Sequence, residues 1–395
     1  MSFPKTTSRS SELCCNDDHL LTCTEVEFDP ENLSNENIQL MGIDFYFDDE
    51  IEPHGFVYKN SLGDEAIIDY HEDTGNLFGS INTHEGRSFS IEKCKDVHLW
   101  KEFDVENFEL NMPERIPNSG NASMASRAWI EDRTTIATYS VMIYYTPEFA
   151  EVTADIEGWV DLVLEEANEG YKNSKIPIRV KKFCIEKATI SDKDSILKNF
   201  KVMKGSAAAT RNTADAAVLF SKDCPSTTCF CGVGYCCGPP NGDWTFSVTR
   251  KSCALGKYTF GHELGHNLGC DHNREEDKNS YYSYGHGHLI KAGNGAKGSS
   301  TILAYQRKGH QLRANYYSDP NSLYPPTGTP LGVKGTSNNV KVITDNRIAF
   351  AALGDESGQC KSSGSTATTT TTTKPTTGKW IGQNNLGLDI IEVLL

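Results

Sequence analysis

The stretch Gly261-His262-Glu263-Leu264-Gly265-His266-Asn267-Leu268-Gly269-Cys270-Asp271-His272 decides how this chain is read. His262 and His266 are four residues apart, just over one helical turn, so both imidazoles leave the same face of a helix. Two imidazoles so placed can share one Zn²⁺ at about 2.0–2.1 Å each. Glu263, one position on, reaches a water beside the metal rather than the metal itself. Gly269 tolerates a positive φ, so the helix can stop there and the chain can turn. That turn brings His272 round as a third ligand. Three protein ligands leave one position open, which separates a catalytic zinc from a closed structural one. Glu263 is then the candidate general base, taking a proton from the attacking water and passing it to a leaving amine. A bare His-Glu-x-x-His also reads as a polar helix with two surface histidines; Gly269 and His272 argue against that. His286, His288 and His310 lie in Gly-rich, loop-like sequence and read as surface residues.

Outward from this helix, the flanking sequence alternates strands and helices. Thr134 to Tyr145 is a β-branched and aromatic run, expected to be a buried strand. Pro147 opens a helix whose apolar stripe is Phe149, Val152, Ile156, Val160, Val163 and Ala167. Ile176 to Ile185, Ala214 to Phe220 and Trp244 to Val248 read as further strands, and Val342 to Leu353 as a closing helix. The pattern predicts an α/β (α+β) domain over residues 132–360, with a twisted mixed sheet and an active-site helix.

The front of the chain differs. Its net charge is concentrated there: residues 24–110 hold 22 Asp and Glu against 5 Lys and Arg, whereas residues 132–360 hold 24 against 26. The total of −15 therefore says little about partners of the second part. Short runs such as Ile43–Phe47, Gly55–Tyr58, Ala66–Tyr70 and Ser88–Ile91, separated by turn signals, predict a smaller β-rich domain over 24–110. Residues 1–23 read as a disordered leader, 111–131 as a linker, and 361–395 as a Thr-rich low-complexity tail. No basic patch with interleaved aromatics points to nucleic acid, and no apolar run is long enough to span a membrane.

Thirteen cysteines, nine of them between Cys184 and Cys360, suit an oxidising compartment and a disulfide framework. A zinc knuckle is the rival reading for Cys229, Cys231, Cys236 and Cys237, although their spacing does not match paired two-residue gaps. The odd total leaves at least one thiol free or paired outside the chain. Asn32-Leu33-Ser34 and Asn121-Ala122-Ser123 are glycosylation acceptors by pattern. The expected location is extracellular, although Met1 to Asp18 carries no apolar signal region.

The stretch from His262 to His272 resembles the metzincin signature, closest to the reprolysin-like (adamalysin-like) metallopeptidases. The resemblance runs over about residues 133–356. It takes in Ala214–Phe220, Thr301–Tyr305, Tyr316–Pro320 and Asn338-Asn339. It implies a zinc endopeptidase acting on protein or peptide substrates, preceded by a propeptide-like domain and so made as a zymogen. Three departures stand out. Where metzincins carry a methionine in a turn beneath the zinc, this chain has Leu303, which fills an apolar floor of similar volume. Asn273 follows the third histidine, where reprolysin-like enzymes usually have Asp. No multibasic processing site appears between residues 111 and 133. Tyr305, two residues past Leu303, is a candidate metal-proximal or oxyanion group, with core packing as the alternative. Cys94 is a candidate inhibitory latch if its thiolate reaches the open metal position; a buried or disulfide-bonded cysteine is the alternative.

Two other functions compete. A catalytically silent zinc-binding or decoy module would not need Glu263. A zinc deaminase would need a paired-cysteine ligand set, which is missing near His262.

Overall fold

The structure is a computed structural model that describes residues 20–26, 33, 37–51, 55–103, 114–117, 134–191, 213–222, 231–276, 278, 280–293, 298–305 and 313–360. The leader before residue 20, the acceptor residues Asn32 and Asn121, Cys229, His310 and the Thr-rich tail lie outside those residues.

Eight strands make the first sheet: β1 (Leu20–Val26), β2 (Ile38–Leu40), β3 (Ile43–Ile51), β4 (Gly55–Lys59), β5 (Glu65–His71), β6 (Asn76–Asn82), β7 (Ser88–Cys94) and β8 (Val97–Phe103). Their order is β1-β8-β7-β6-β5-β4-β3-β2, and every neighbouring pair is antiparallel. Side chains alternate between faces along a strand. In β5, Ala66 and Ile68 enter a cluster with Phe45, Tyr58 and Phe89. Ile67, one residue out of phase, joins Val57 and Phe78 in a core shared with Trp159. With both faces covered, β5 loses the polar alternation of a half-exposed strand.

The second sheet contains β9 (Glu114–Pro117), β10 (Ala137–Tyr145), β11 (Ile178–Lys187), β12 (Ala216–Ser221), β13 (Gly232–Cys236) and β14 (Phe246–Arg250), in the order β11-β10-β12-β14-β13-β9. The pairs β10–β11, β10–β12 and β12–β14 are parallel. β13 runs antiparallel to β14, and β9 runs parallel to β13. Among the described residues, five helices accompany the sheet: α1 (Pro147–Glu151), α2 (Ile156–Asn173), α3 (Lys251–Ala254), α4 (Thr259–Asn267) and α5 (Asn339–Phe350). Two short hairpins, β15 (Leu289–Ile290) with β16 (Ser299–Ser300) and β17 (Leu323–Tyr324) with β18 (Thr329–Pro330), follow α4. The fold is mixed α/β.

Two expectations are corrected. The apolar stripe from Phe149 to Ala167 is carried by two helices, not one. Thr146 caps α1 by accepting from the Phe149 N–H, and Asp155 caps α2 by accepting from the Gly158 N–H. Such caps satisfy the orphan donors of a first turn, so the chain restarts at Asp155. The span 111–131 is not wholly linker, because Glu114–Pro117 forms β9 on the edge of the second sheet.

The first sheet meets α2 and α3 through buried charge. Lys251 Nζ lies 2.6 Å from Glu92 Oε2, and Lys101 Nζ lies 3.1 Å from the same oxygen. Burial alone would raise the Glu92 carboxyl, but the two ammonium groups overcome it and hold it at about 2. Glu166 on α2 has no cation paired to it among the described residues. It accepts from Ser80 Oγ at 2.5 Å and from the Gly256 N–H at 2.8 Å, and burial pushes it up to about 8 from an ordinary 4.5. A carboxyl raised on folding stabilises fully below its unfolded value. Its contribution is lost as pH rises from 4.5 through about 8. Glu166→Gln mimics the protonated acid. It is therefore expected to flatten the decline in melting temperature over that range relative to wild type. Parallel melting curves for the two proteins would show that another group carries the dependence.

Candidate active site

α4 begins at Thr259 and ends at Asn267, and its whole length is buried. His262 and His266 leave one face, with ring centroids 4.6 Å apart. Beyond the helix, Gly269 takes φ 104°. A side chain there would also press on the Gly238 carbonyl at 2.8 Å, so both conformation and space require glycine. The chain then reverses, and the Asp271 carboxylate accepts from the His272 N–H at 2.8 Å. His272 arrives with its Nε2 3.3 Å from that of His262 and 3.0 Å from that of His266.

The other ring nitrogens decide what those three atoms can do. His262 Nδ1 donates to the Ile302 carbonyl at 2.6 Å, and His266 Nδ1 donates to the Cys270 carbonyl at 2.9 Å. A carbonyl only accepts, so each Nδ1 carries a proton, and in the neutral tautomer the lone pair is on Nε2, which both rings turn toward His272. Burial pushes the His262 imidazole well below its usual range, and the nearby Arg313 guanidinium adds to the effect. Nε2 atoms that converge in this way fit a divalent cation. Ligand bonds of about 2.0–2.1 Å in a tetrahedral arrangement place nitrogens about 3.3 Å apart.

Glu263 is fully buried, and neither carboxylate oxygen has a hydrogen-bond partner among the described residues. Burial drives it well above the usual carboxyl range, opposed by Arg313. The carboxylate lies against β13. A Cβ at Gly232 would collide with its Oε1, and one at Gly234 would come within 2.6 Å of its Oε2. These two glycines went unnoticed in the sequence, where Gly-x-Gly ahead of a Cys pair is the only local signal.

Leu303 forms the floor. It is fully buried, and a side chain at Gly265 would strike its Cδ2 at 2.7 Å, so helix and turn are in close contact. Tyr305 packs its ring on His272, with centroids 4.0 Å apart. Asn273 is buried, and its side-chain oxygen accepts from the Tyr305 N–H at 3.0 Å, tying the segment after His272 to the turn carrying Leu303.

Several expectations about other residues change. His286 is buried rather than superficial, and its Nδ1 donates to the His272 carbonyl at 2.9 Å. His288 is half-buried. Of the two readings of Cys94, the structure supports the alternative: the residue is buried in β7 and disulfide-bonded, so it has no thiolate to offer as a latch. Cys231 is bonded to Cys253, Cys184 to Cys360, and Cys236 to Cys237. The sulfurs of Cys236 and Cys237 lie within 4.8 Å of a His266 nitrogen, but joined to each other they are not the thiolates of a knuckle. Cys270, buried next to His266, is the free thiol among the described residues.

Comparison with known proteins bears on this site. Residues 135–321 match the reprolysin-type model of metallo-peptidase family M12. A peptidyl-Asp metalloendopeptidase of Stenotrophomonas maltophilia (strain K279a) is 28% identical over 312 residues, covering 75% of this chain and 72% of that protein. Its counterpart from strain R551-3 is 24% identical, covering 71% and 69%. A peptidyl-Asp metalloendopeptidase of Xanthomonas campestris pv. campestris is 29% identical over 251 residues, covering 60% of this chain and 56% of that protein.

Proposed function

Starting from a chain that carries a reprolysin-like domain of metallo-peptidase family M12 over residues 135–321 and is a metalloendopeptidase, we propose how its own residues carry out the reaction and on what substrate. His262, His266 and His272 hold a Zn²⁺, Glu263 is the general base, and the bond cut adjoins an aspartate. The observation that carries this reading is the convergence of three imidazoles, with the His272 Nε2 within 3.3 Å of those of His262 and His266, next in sequence to a buried carboxylate that has no partner among the described residues.

Bound in that tripod, the metal would acidify water and polarise the scissile carbonyl. The chain does the rest. The Ile302 and Cys270 carbonyls fix the tautomers and orientation of His262 and His266. Glu263, held against the glycines of β13, takes the proton of the attacking water and delivers it to the leaving amine. Tyr305 acts as a positioning residue, packed on the third ligand. The aspartate preference is carried over from the relatives, which are peptidyl-Asp endopeptidases.

The chain is made as a precursor, with residues 24–110 as a removable front domain and 132–360 as the catalytic part. Support comes from β9. An extended substrate commonly binds by adding a strand to a sheet edge. Here Glu114–Pro117 lies along β13, the strand that borders Glu263, and occupies that edge. The disulfides fit an extracellular protein, and no described helix is long and apolar enough to cross a membrane.

The test uses the full chain, before and after limited proteolysis, on a proteome-derived peptide library read by mass spectrometry. Expected are cuts clustered at aspartate, abolished by a chelator and restored by Zn²⁺. Cleavage that survives chelation, or that ignores aspartate, would overturn the metal or the substrate assignment respectively.

A further inference from the structure

We propose that Arg313 is the residue that reads the substrate's carboxylate; the inference rests on the aspartate preference assigned above and names the group responsible for it. Arg313 stands where the loop entering α4 meets the turn that carries Leu303. Its Nε donates to the Ala304 carbonyl at 3.2 Å, and its Nη1 donates to the Lys257 carbonyl at 3.1 Å. These contacts fix the guanidinium plane while using two of its five N–H donors. Only 8% of the residue is exposed.

Two features mark this arginine as more than a structural strut. First, it is a buried cation with no carboxylate paired to it among the described residues. Burial draws its guanidinium down to about 10, so the site holds the positive charge at a cost. Buried charges are ordinarily paired. Second, it stands close to the chemistry: the Ala304 carbonyl it holds lies between the floor residue Leu303 and Tyr305, whose ring packs on His272.

Arg313 also lines a cavity of about 150 Å³ together with Tyr258, Asn315 and Tyr324. The far wall of that cavity comes from the first sheet and includes Asp64 and Glu65. Neither neutralises the arginine: Asp64 is engaged by Asn60 and His84, and Glu65 by Asn315 and Asn173. A short acidic side chain next to the scissile bond would meet a fixed guanidinium with donors to spare. That geometry suits a charge-assisted, bidentate contact. The amide isostere asparagine would leave the buried cation unpaired and would be rejected.

The experiment compares kcat/KM of the full chain, before and after limited proteolysis, on two peptides that differ only in Asp or Asn at the selected position, for wild type, Arg313→Gln and Arg313→Lys. A ratio taken on one preparation is independent of how much of it folds. The wild-type Asp/Asn ratio is expected to collapse by about 100-fold in Arg313→Gln, with Arg313→Lys in between, as for loss of one partner of a desolvated charge pair. An Asp/Asn ratio unchanged in both variants would overturn the role of Arg313 while leaving the aspartate preference standing. A wild-type enzyme indifferent to Asp would overturn the preference itself, and the proposal with it.

Discussion

Glu263→Gln is expected to lower kcat by about 10²–10⁴-fold while leaving the metal bound. The amide keeps the volume of the carboxyl, so the close fit against Gly232 and Gly234 is preserved. It cannot accept and return a proton, and that is the role assigned to this side chain. None of the metal-facing nitrogens depends on it: the tautomers of His262 and His266 are set by the carbonyls of Ile302 and Cys270. Peptide turnover and metal content measured on the same sample make the test decisive. Near-normal turnover would remove Glu263 from the reaction and revive the silent-module reading.

His272→Ala should act on the opposite quantity. Metal affinity is expected to fall by more than the 10–100-fold typical of losing an outer-shell partner, because a direct ligand is removed. Metal content after dialysis would drop from near one ion per chain to a small fraction, and cleavage would fall with it. The substitution sits outside α4, after the turn at Gly269, so the helix and its two histidines stay in place. Retention of a full complement of metal would break the three-histidine assignment.

Much of this site is legible in the chain because its information is local. The four-residue spacing of His262 and His266 and the glycine at 269 are properties of one helix and one turn. The strand runs at Ile43, Gly55, Ala66 and Ser88 announce β3, β4, β5 and β7 for a similar reason: β-branched and aromatic side chains suit a pleated sheet. Local cues also mislead where a second one competes. The stripe from Phe149 to Ala167 has helical spacing, yet Asp155 caps a new helix within it. His286 sits among glycines and tyrosines that read as loop, yet its ring is buried because it supports the His272 carbonyl.

What the sequence determined by itself is the set of groups able to do the chemistry, since two imidazoles, a carboxylate and a third imidazole lie within eleven consecutive residues and helical geometry orders them. The tertiary structure decided the rest: which carbonyls orient the rings, that β13 passes close enough to demand Gly232 and Gly234, that β9 fills the sheet edge, and that an arginine 50 residues beyond Glu263 brings its charge to the same centre. The reason is one of range. Periodicity and turn chemistry act over a few residues, whereas these contacts exist only after packing has brought distant segments together.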